Sequence, residues 1–111
     1  METAGAAEPF WFGSWSFITN HAQVLLTVAR RPDATVAEVA RAARITERSA
    51  YRMLADLQQA GYVRRRRVGR RNSYEIDAKL PLRDPVVENE LIDDLIALVR
   101  KDGDGARHDP A

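Results

Sequence analysis

The sequence of 111 residues contains no cysteine and only two histidines, His21 and His108. The lack of cysteine excludes disulfide bridges, thiolate metal sites and cysteine nucleophiles, and it is compatible with a reducing cytoplasm. The two histidines lie far apart in the sequence and do not form a metal-ligand pattern. No nucleophile elbow, phosphate-binding loop or metalloprotease motif is present. We therefore expect no enzyme, no metal site and no cofactor.

Long apolar runs are also missing. The uncharged stretch over residues 9–29 is long enough to span a bilayer, but it is interrupted by polar residues, glycine and proline. These residues make membrane insertion costly. The first ten residues carry Glu2 and Glu8 and no basic residue, unlike a secretory signal. The sequence thus predicts a cytoplasmic protein with no membrane partner.

Charge is spread unevenly along the chain, although the formal net charge is only +1. Residues 30–71 contain twelve arginines and four acidic residues, whereas the segments on either side are net acidic. Concentrated positive charge attracts polyanions, and a guanidinium group can fork onto a phosphate or onto the edge of guanine. A coding bias would favour arginine over lysine, but it does not explain why twelve of the fifteen arginines fall in this segment.

Three short helices are predicted before residue 61. Thr19 or Asn20 caps a first helix that runs to about residue 30. The second helix opens at Thr35, which forms a capping box with Glu38, and runs to residue 43. Thr46 caps a third helix over residues 47–60, which Gly61 terminates. The third helix has an apolar face made by Ala50, Met53, Leu54 and Leu57, and a polar face made by Glu47, Arg48, Tyr51, Arg52 and Ala55.

After Gly61 the hydrophobic period changes to two. Residues 62–68 and 73–77 are predicted to form a β-hairpin whose turn spans residues 69–72. Asp84 is expected to cap a last helix over residues 84–102, with Pro85 in its first turn. The fold class is therefore mainly α with a small β-hairpin (α+β). We divide the chain into an N-terminal arm with an aromatic cluster (1–17), a central domain (18–80), the last helix (84–102) and a polar tail (103–111).

Two short helices joined by a tight turn, followed by a basic hairpin, predict a winged helix-turn-helix with an added C-terminal helix. The sequence resembles small bacterial winged-helix transcription regulators of the MarR and ArsR type. The resemblance covers about residues 18–77 and runs through residues 35–40, 45–50, 54–57, 60–63 and 68–72. It implies a transcription regulator that binds double-stranded DNA. Helix 47–60 would lie in the major groove, and the wing, residues 64–74, on the backbone or the adjacent minor groove.

The residue chemistry agrees with DNA binding, because base edges in the major groove present a donor and acceptor pattern that helix side chains can read. Strand alternation separates Arg64 and Arg66 from Arg65 and Arg67, so one pair must point away from the body of the domain. The predicted DNA-binding residues are Arg44, Thr46, Arg48, Ser49, Tyr51, Arg52, Arg65, Arg67, Arg70 and Arg71, the last two at the hairpin tip. Two alternative interpretations stay open. In one, Tyr51 packs as a half-buried core aromatic, and in the other the arginines serve only as solubilising charges that do not contact DNA.

Both ends of the chain are rich in apolar side chains. Residues 10–17 hold five of the eight aromatic residues, and the last helix carries two apolar rows. We expect one row to pack on the winged domain, and the other row and the aromatic cluster to build a homodimer. The alternative is that both segments fold back on their own domain. The predicted interface residues are Trp11, Trp15, Leu91, Ile92, Leu95, Ile96 and Val99.

Two further points concern partners. The chain is shorter than MarR proteins, so a pocket for a small-molecule effector would be small, and no residue pattern supports one. A second class of function also fits the sequence, namely a winged domain whose arginines bind an acidic protein partner. Salt-dependent binding to duplex DNA that survives competitor DNA distinguishes the two classes.

Overall fold

The computed structural model describes residues 16–87 and 89–100. In chain order it contains α1 (Asn20–Arg30), α2 (Val36–Ala43), α3 (Glu47–Gln59), β1 (Val63–Val68), β2 (Arg71–Ile76), a 3-10 turn (Pro85–Val87) and α4 (Ile92–Arg100). The two strands pair antiparallel. The predicted α+β class and the winged helix order of the elements are confirmed. Within the described ranges, no helix has the length and apolar character needed to cross a membrane.

Three threonines determine where the first three helices begin. The side-chain oxygens of Thr19, Thr35 and Thr46 each accept a hydrogen bond from the backbone N–H three residues later, at 3.0–3.2 Å. Glu38 completes the predicted capping box, because its Oε1 accepts from the Thr35 N–H at 2.9 Å. This hydrogen bond lowers the pKa of Glu38. Each cap contributes about 1 kcal/mol to helix stability.

A single core joins the three helices, the base of the hairpin and α4. Val24, Val28, Val39, Ala50 and Leu54 lie at its centre and are at most 2% exposed. The Tyr62 ring closes the core below the hairpin, and its hydroxyl donates to the Pro81 carbonyl at 2.8 Å. The rigid packing of α2 and α3 fixes the direction in which the outer side of α3 points.

The hairpin turn is tighter than the sequence predicts. Val68 pairs with Arg71, so the turn contains only Gly69 and Arg70. Gly69 has a φ of +66°, whereas Arg70 has no positive φ, which is the pattern of a type II′ turn. The predicted turn over residues 69–72 is therefore wrong, because Arg71 and Asn72 extend β2. A hydrogen bond of 2.9 Å from the Tyr74 N–H to the Pro32 carbonyl ties β2 to the α1–α2 loop.

The last helix is shorter than the sequence predicts and begins later. Asp84 does cap a turn, since its Oδ1 accepts from the Val86 N–H at 2.9 Å, but this turn is the 3-10 segment. Leu91 then forms a β-bridge with Pro81. The backbone around this bridge is held by Leu82 N–H to Glu90 O, Ile92 N–H to Leu80 O and Asp93 N–H to Ala78 O, each at 2.9 Å. These bonds prevent a continuous helix from residue 84, and α4 starts at Ile92.

The position of α4 shows which of its apolar side chains are buried in the domain and which remain exposed. The helix packs against α1. Ile92 and Ile96 are 4% and 1% exposed, so these two residues belong to the core of their own domain and not to an exposed interface. Leu95 and Val99 are half-buried, while Leu91 and Leu98 are 40% and 56% exposed. Only the second group remains accessible to a partner.

Candidate nucleic-acid interface

The outer side of α3 is polar and exposed. Arg48, Tyr51 and Arg52 are exposed there, while Ala50 and Leu54 on the opposite side are buried. Tyr51 is 65% exposed, which removes the alternative of a core aromatic. Helix periodicity produces this separation, because residues three and four apart share a face. The two guanidinium groups and the phenol therefore project together from one side of the helix.

The hairpin turns one of its sides toward α3. On this inner side, Arg65 pairs with Tyr74 and Arg67 pairs with Asn72. Tyr74 is buried, and burial raises the pKa of its hydroxyl, although the nearby Arg65 guanidinium acts in the opposite direction. The phenol therefore remains a hydrogen-bond donor at neutral pH. Arg65 and Arg67 are exposed beside it.

A cleft separates α3 from this inner side of the hairpin. It is lined by polar groups of both elements, among them Tyr51, Gln58, Arg65, Asn72 and Tyr74. Tyr51 also borders the shallow depression formed by Arg48, Ser49, Arg52 and Ala55 on α3. The outer side of α3 and the inner side of the hairpin thus form one continuous surface. We call it the basic face and define it by Arg48, Arg52, Arg65, Arg67 and Arg70.

The outer side of the hairpin has a different electrostatic character. Glu75 lies directly across from Arg64 and diagonally across from Arg66. Its carboxylate oxygens are 2.8 Å from Arg64 Nη2 and 2.5 Å from Arg66 Nη1. Hydrogen bonds from Arg66 and Arg64 lower the pKa of Glu75, and the bond to Glu75 raises the pKa of Arg66. Of the four consecutive arginines, two are therefore paired with a carboxylate.

The hairpin tip separates the two arginines that the sequence places together there. Arg70 occupies the turn and is exposed. Arg71 lies in β2, and its Nη2 is 3.8 Å from Asp33 Oδ2 in the α1–α2 loop. Arg67 turns toward the tip and donates from Nε to the Gly69 carbonyl at 3.4 Å. Arg70 is thus the tip residue, and Arg71 is partly neutralised.

The turn between α2 and α3 carries the remaining predicted residues. Arg44 is the C-cap of α2 in a left-handed conformation with φ of 60°, where glycine is the usual residue. Thr46 uses its oxygen to cap α3, which leaves its hydroxyl hydrogen as a donor at the N-terminus of that helix. Both residues are exposed beside the first turn of α3.

Three residues that contribute to this arrangement are not among those predicted from the sequence, namely Gln58, Asn72 and Glu75. Gln58 lies seven positions after Tyr51, so helix periodicity already places it on the same side. The sequence predicts Asn72 in the turn, and its position in the cleft depends on the strand register. The role of Glu75 follows only from the strand register, which places Glu75 opposite Arg64. Among the described residues, no cluster of three potential ligands could hold a metal ion, and His21 Nε2 instead lies 2.8 Å from Asp56 Oδ2 of α3.

The two predicted interface residues near the N-terminus cannot be located in the fold. Trp11 and Trp15 lie outside the described residues. The structure thus brings together the basic residues of α3 and of the hairpin, and it places Ile92 and Ile96 in the core rather than on the surface.

Comparison with known proteins agrees with this arrangement. A model of the MarR family matches residues 17–71, about half of the chain, which include α1, α2, α3, β1 and the hairpin turn. No curated protein sequence matches the chain significantly. Regulators of the MarR family are generally DNA-binding proteins without enzymatic activity. With its helix-turn-helix and basic wing in the matched region, the chain belongs to the MarR family of winged-helix, DNA-binding transcription regulators.

Proposed function

We propose that the protein binds double-stranded DNA sequence-specifically as a homodimer. In this proposal α3 lies in the major groove, and the hairpin contacts the backbone and the adjacent minor groove. The supporting observation is the basic face. Within residues 16–87 and 89–100, Arg48, Arg52, Arg65 and Arg70 have no carboxylate partner, so they can exchange water for phosphates or bases without breaking an ion pair.

The geometry of B-DNA assigns different roles to the parts of this face. The thirteen residues of α3 extend about 20 Å, and a helix of this width fits the major groove. Arg48 and Arg52 are then the base-reading candidates, with Ser49 and Tyr51 beside them. A sugar-phosphate strand separates the two grooves and would cross the cleft between α3 and the hairpin. Arg65, Gln58 and Asn72 are positioned to contact it.

The dimer is proposed from the apolar side chains that the domain leaves accessible. Leu91 and Leu98 are exposed, and Leu95 and Val99 are half-buried beside them. This side of α4 supplies an apolar surface for a second copy, and Trp11 and Trp15, which lie outside the described residues, are proposed as further interface residues. A two-fold dimer places two α3 helices in successive major grooves, so half-sites would lie about one helical turn, roughly 10 bp, or a multiple of it apart. Such a regulator would act in the cytoplasm, where bacterial DNA lies.

Selection of bound fragments from genomic DNA tests this function. We expect the full chain to enrich fragments that share an inverted repeat, and to keep binding them in excess competitor DNA. Non-specific contacts alone give no enrichment, because they depend on phosphates only. Binding that competitor DNA removes completely, together with tight binding to an acidic protein, would instead identify a protein-interaction module.

The tip of the hairpin offers a second test. Arg70→Ala is expected to weaken binding to all sequences by a similar factor and to reduce the slope of log affinity against log salt by about one per protomer, since one counterion fewer is released. Arg71→Ala is expected to have a smaller effect, because Arg71 already interacts with Asp33. Base preference at the half-site centre should survive in both variants. Titrations over a range of salt concentrations measure both quantities, and an unchanged slope in Arg70→Ala would mean that the tip does not contact DNA.

A further inference from the structure

Glu75 divides the four consecutive arginines of the hairpin into two classes. On the outer side, both of its carboxylate oxygens are engaged, one by Arg64 at 2.8 Å and the other by Arg66 at 2.5 Å. On the inner side, Arg65 and Arg67 lie opposite Tyr74 and Asn72 and have no carboxylate within the described part of the chain. One acidic residue therefore determines which guanidinium groups are available to a polyanion.

We propose that Glu75 limits sequence-independent DNA binding by holding Arg64 and Arg66 away from phosphates. This inference rests on the proposed DNA-binding function. A hairpin that enters the minor groove has one sugar-phosphate strand on each side. Its inner side faces the strand that crosses the cleft beside α3, and its outer side faces the other strand. Glu75 lowers the net charge of the group formed with Arg64 and Arg66 from +2 to +1 and occupies both guanidinium groups.

The consequence is greatest for non-specific complexes. Binding to random DNA depends almost entirely on phosphate contacts and the counterions they release. A specific complex has base contacts from α3 in addition. These base contacts fix the position of the hairpin in a specific complex, whereas a non-specific complex can shift until the outer arginines reach phosphates. Holding Arg64 and Arg66 away from phosphates therefore weakens random binding by a larger factor than specific binding. Glu75 thus increases the preference for the specific site while decreasing total affinity.

A purely structural role for Glu75 is the competing explanation. The Arg64, Arg66 and Glu75 side chains are 78%, 60% and 36% exposed, and exposed ion pairs stabilise a fold only weakly. If Glu75 only stabilised the hairpin, its replacement would change the stability of the hairpin and leave the salt dependence of DNA binding unchanged. The two roles therefore predict different measurements.

The experiment replaces Glu75 by glutamine, which has the same size, and uses the full chain with a pool of random-sequence duplexes. Glu75→Gln is expected to tighten binding about threefold to tenfold per protomer and to steepen the plot of log affinity against log salt by about one to two. A selected specific duplex should gain less. Equal gains on both DNAs would show that Glu75 sets overall affinity and not preference, and would overturn the proposal.

Matched variants separate the local effect from a change in net charge. Glu90→Gln removes the same charge at an exposed position outside the hairpin, and it is expected to change neither affinity nor slope. Arg64→Gln with Arg66→Gln should leave the slope of the wild-type chain nearly unchanged, but should abolish the gain when combined with Glu75→Gln. An equal gain from Glu90→Gln would attribute the effect to net charge and overturn the proposal.

If Glu75→Gln fails to fold, as monitored by circular dichroism, the double arginine variant provides an independent test of the proposal. A clearly shallower salt slope in Arg64→Gln with Arg66→Gln would mean that these arginines already contact phosphates in the wild type, which contradicts the proposal. A wild-type chain that binds no duplex at low salt contradicts the proposed function itself. Wild-type binding with an unchanged slope in a folded Glu75→Gln variant contradicts only the role of Glu75.

Discussion

Ile96→Ala is expected to lower the free energy of unfolding by about 2–5 kcal/mol, the usual cost of truncating a buried isoleucine. Ile96 is 1% exposed, and α4, which carries it, packs against α1. The loss is large relative to the total stability of a chain of this length, about 5–15 kcal/mol. Denaturant unfolding followed by circular dichroism measures it.

Leu98→Ala is the matched control on the same helix. Leu98 is 56% exposed, so the stability of the single domain should change by less than about 0.5 kcal/mol. Its expected effect is on self-association, which sedimentation at several protein concentrations reports. If Ile96→Ala and Leu98→Ala destabilise the chain equally, α4 does not pack on α1 as described. If Leu98→Ala leaves a dimer intact, the interface lies elsewhere, and the N-terminal aromatic residues are the next candidates.

The parts of the fold that the sequence predicts well are those determined by neighbouring residues. A threonine that caps a helix interacts with a backbone N–H three positions away, so Thr35 and Thr46 mark their helix starts directly, and of the two candidates Thr19 and Asn20 it is Thr19 that caps α1. Gly61 ends the third helical segment with a φ of +89°. The sorting of α3 into a core side and an outer side follows from periodicity alone, which explains why Arg48, Tyr51 and Arg52 were predicted together.

The errors arise where distant segments compete with a local signal. Asp84 and Pro85 do start a helical turn, as the sequence predicts. The backbone pairing of residues 78–82 with residues 90–93 then prevents this turn from continuing into α4. Periodicity identified two apolar rows on the last helix without indicating which one α1 would cover. Alternation likewise separated Arg64 and Arg66 from Arg65 and Arg67, but only the burial of Tyr74 opposite Arg65 shows which pair faces α3.

The second large effect is expected on DNA binding, from substitution of the two exposed arginines of α3. Arg48→Ala and Arg52→Ala are each expected to weaken binding to the selected duplex by about 1–3 kcal/mol and to relax base preference at one position of each half-site. Both guanidinium groups are exposed on the outer side of α3 beside Tyr51, and neither has an ion-pair partner among the described residues. Arg83→Ala is the matched control, since it removes one exposed positive charge outside the basic face.

The arginine-to-lysine variants separate base reading from charge. Lysine retains the positive charge but cannot donate two parallel hydrogen bonds to guanine. Arg48→Lys and Arg52→Lys should therefore keep the salt slope and the affinity for random duplexes while losing preference for the selected site. Competition titrations with single-base variants of that site measure the preference. If the alanine variants lose affinity equally on selected and random DNA, and the lysine variants restore both, these arginines contact phosphates. In that case sequence reading must come from Ser49, Tyr51 and the other groups of the same helix side.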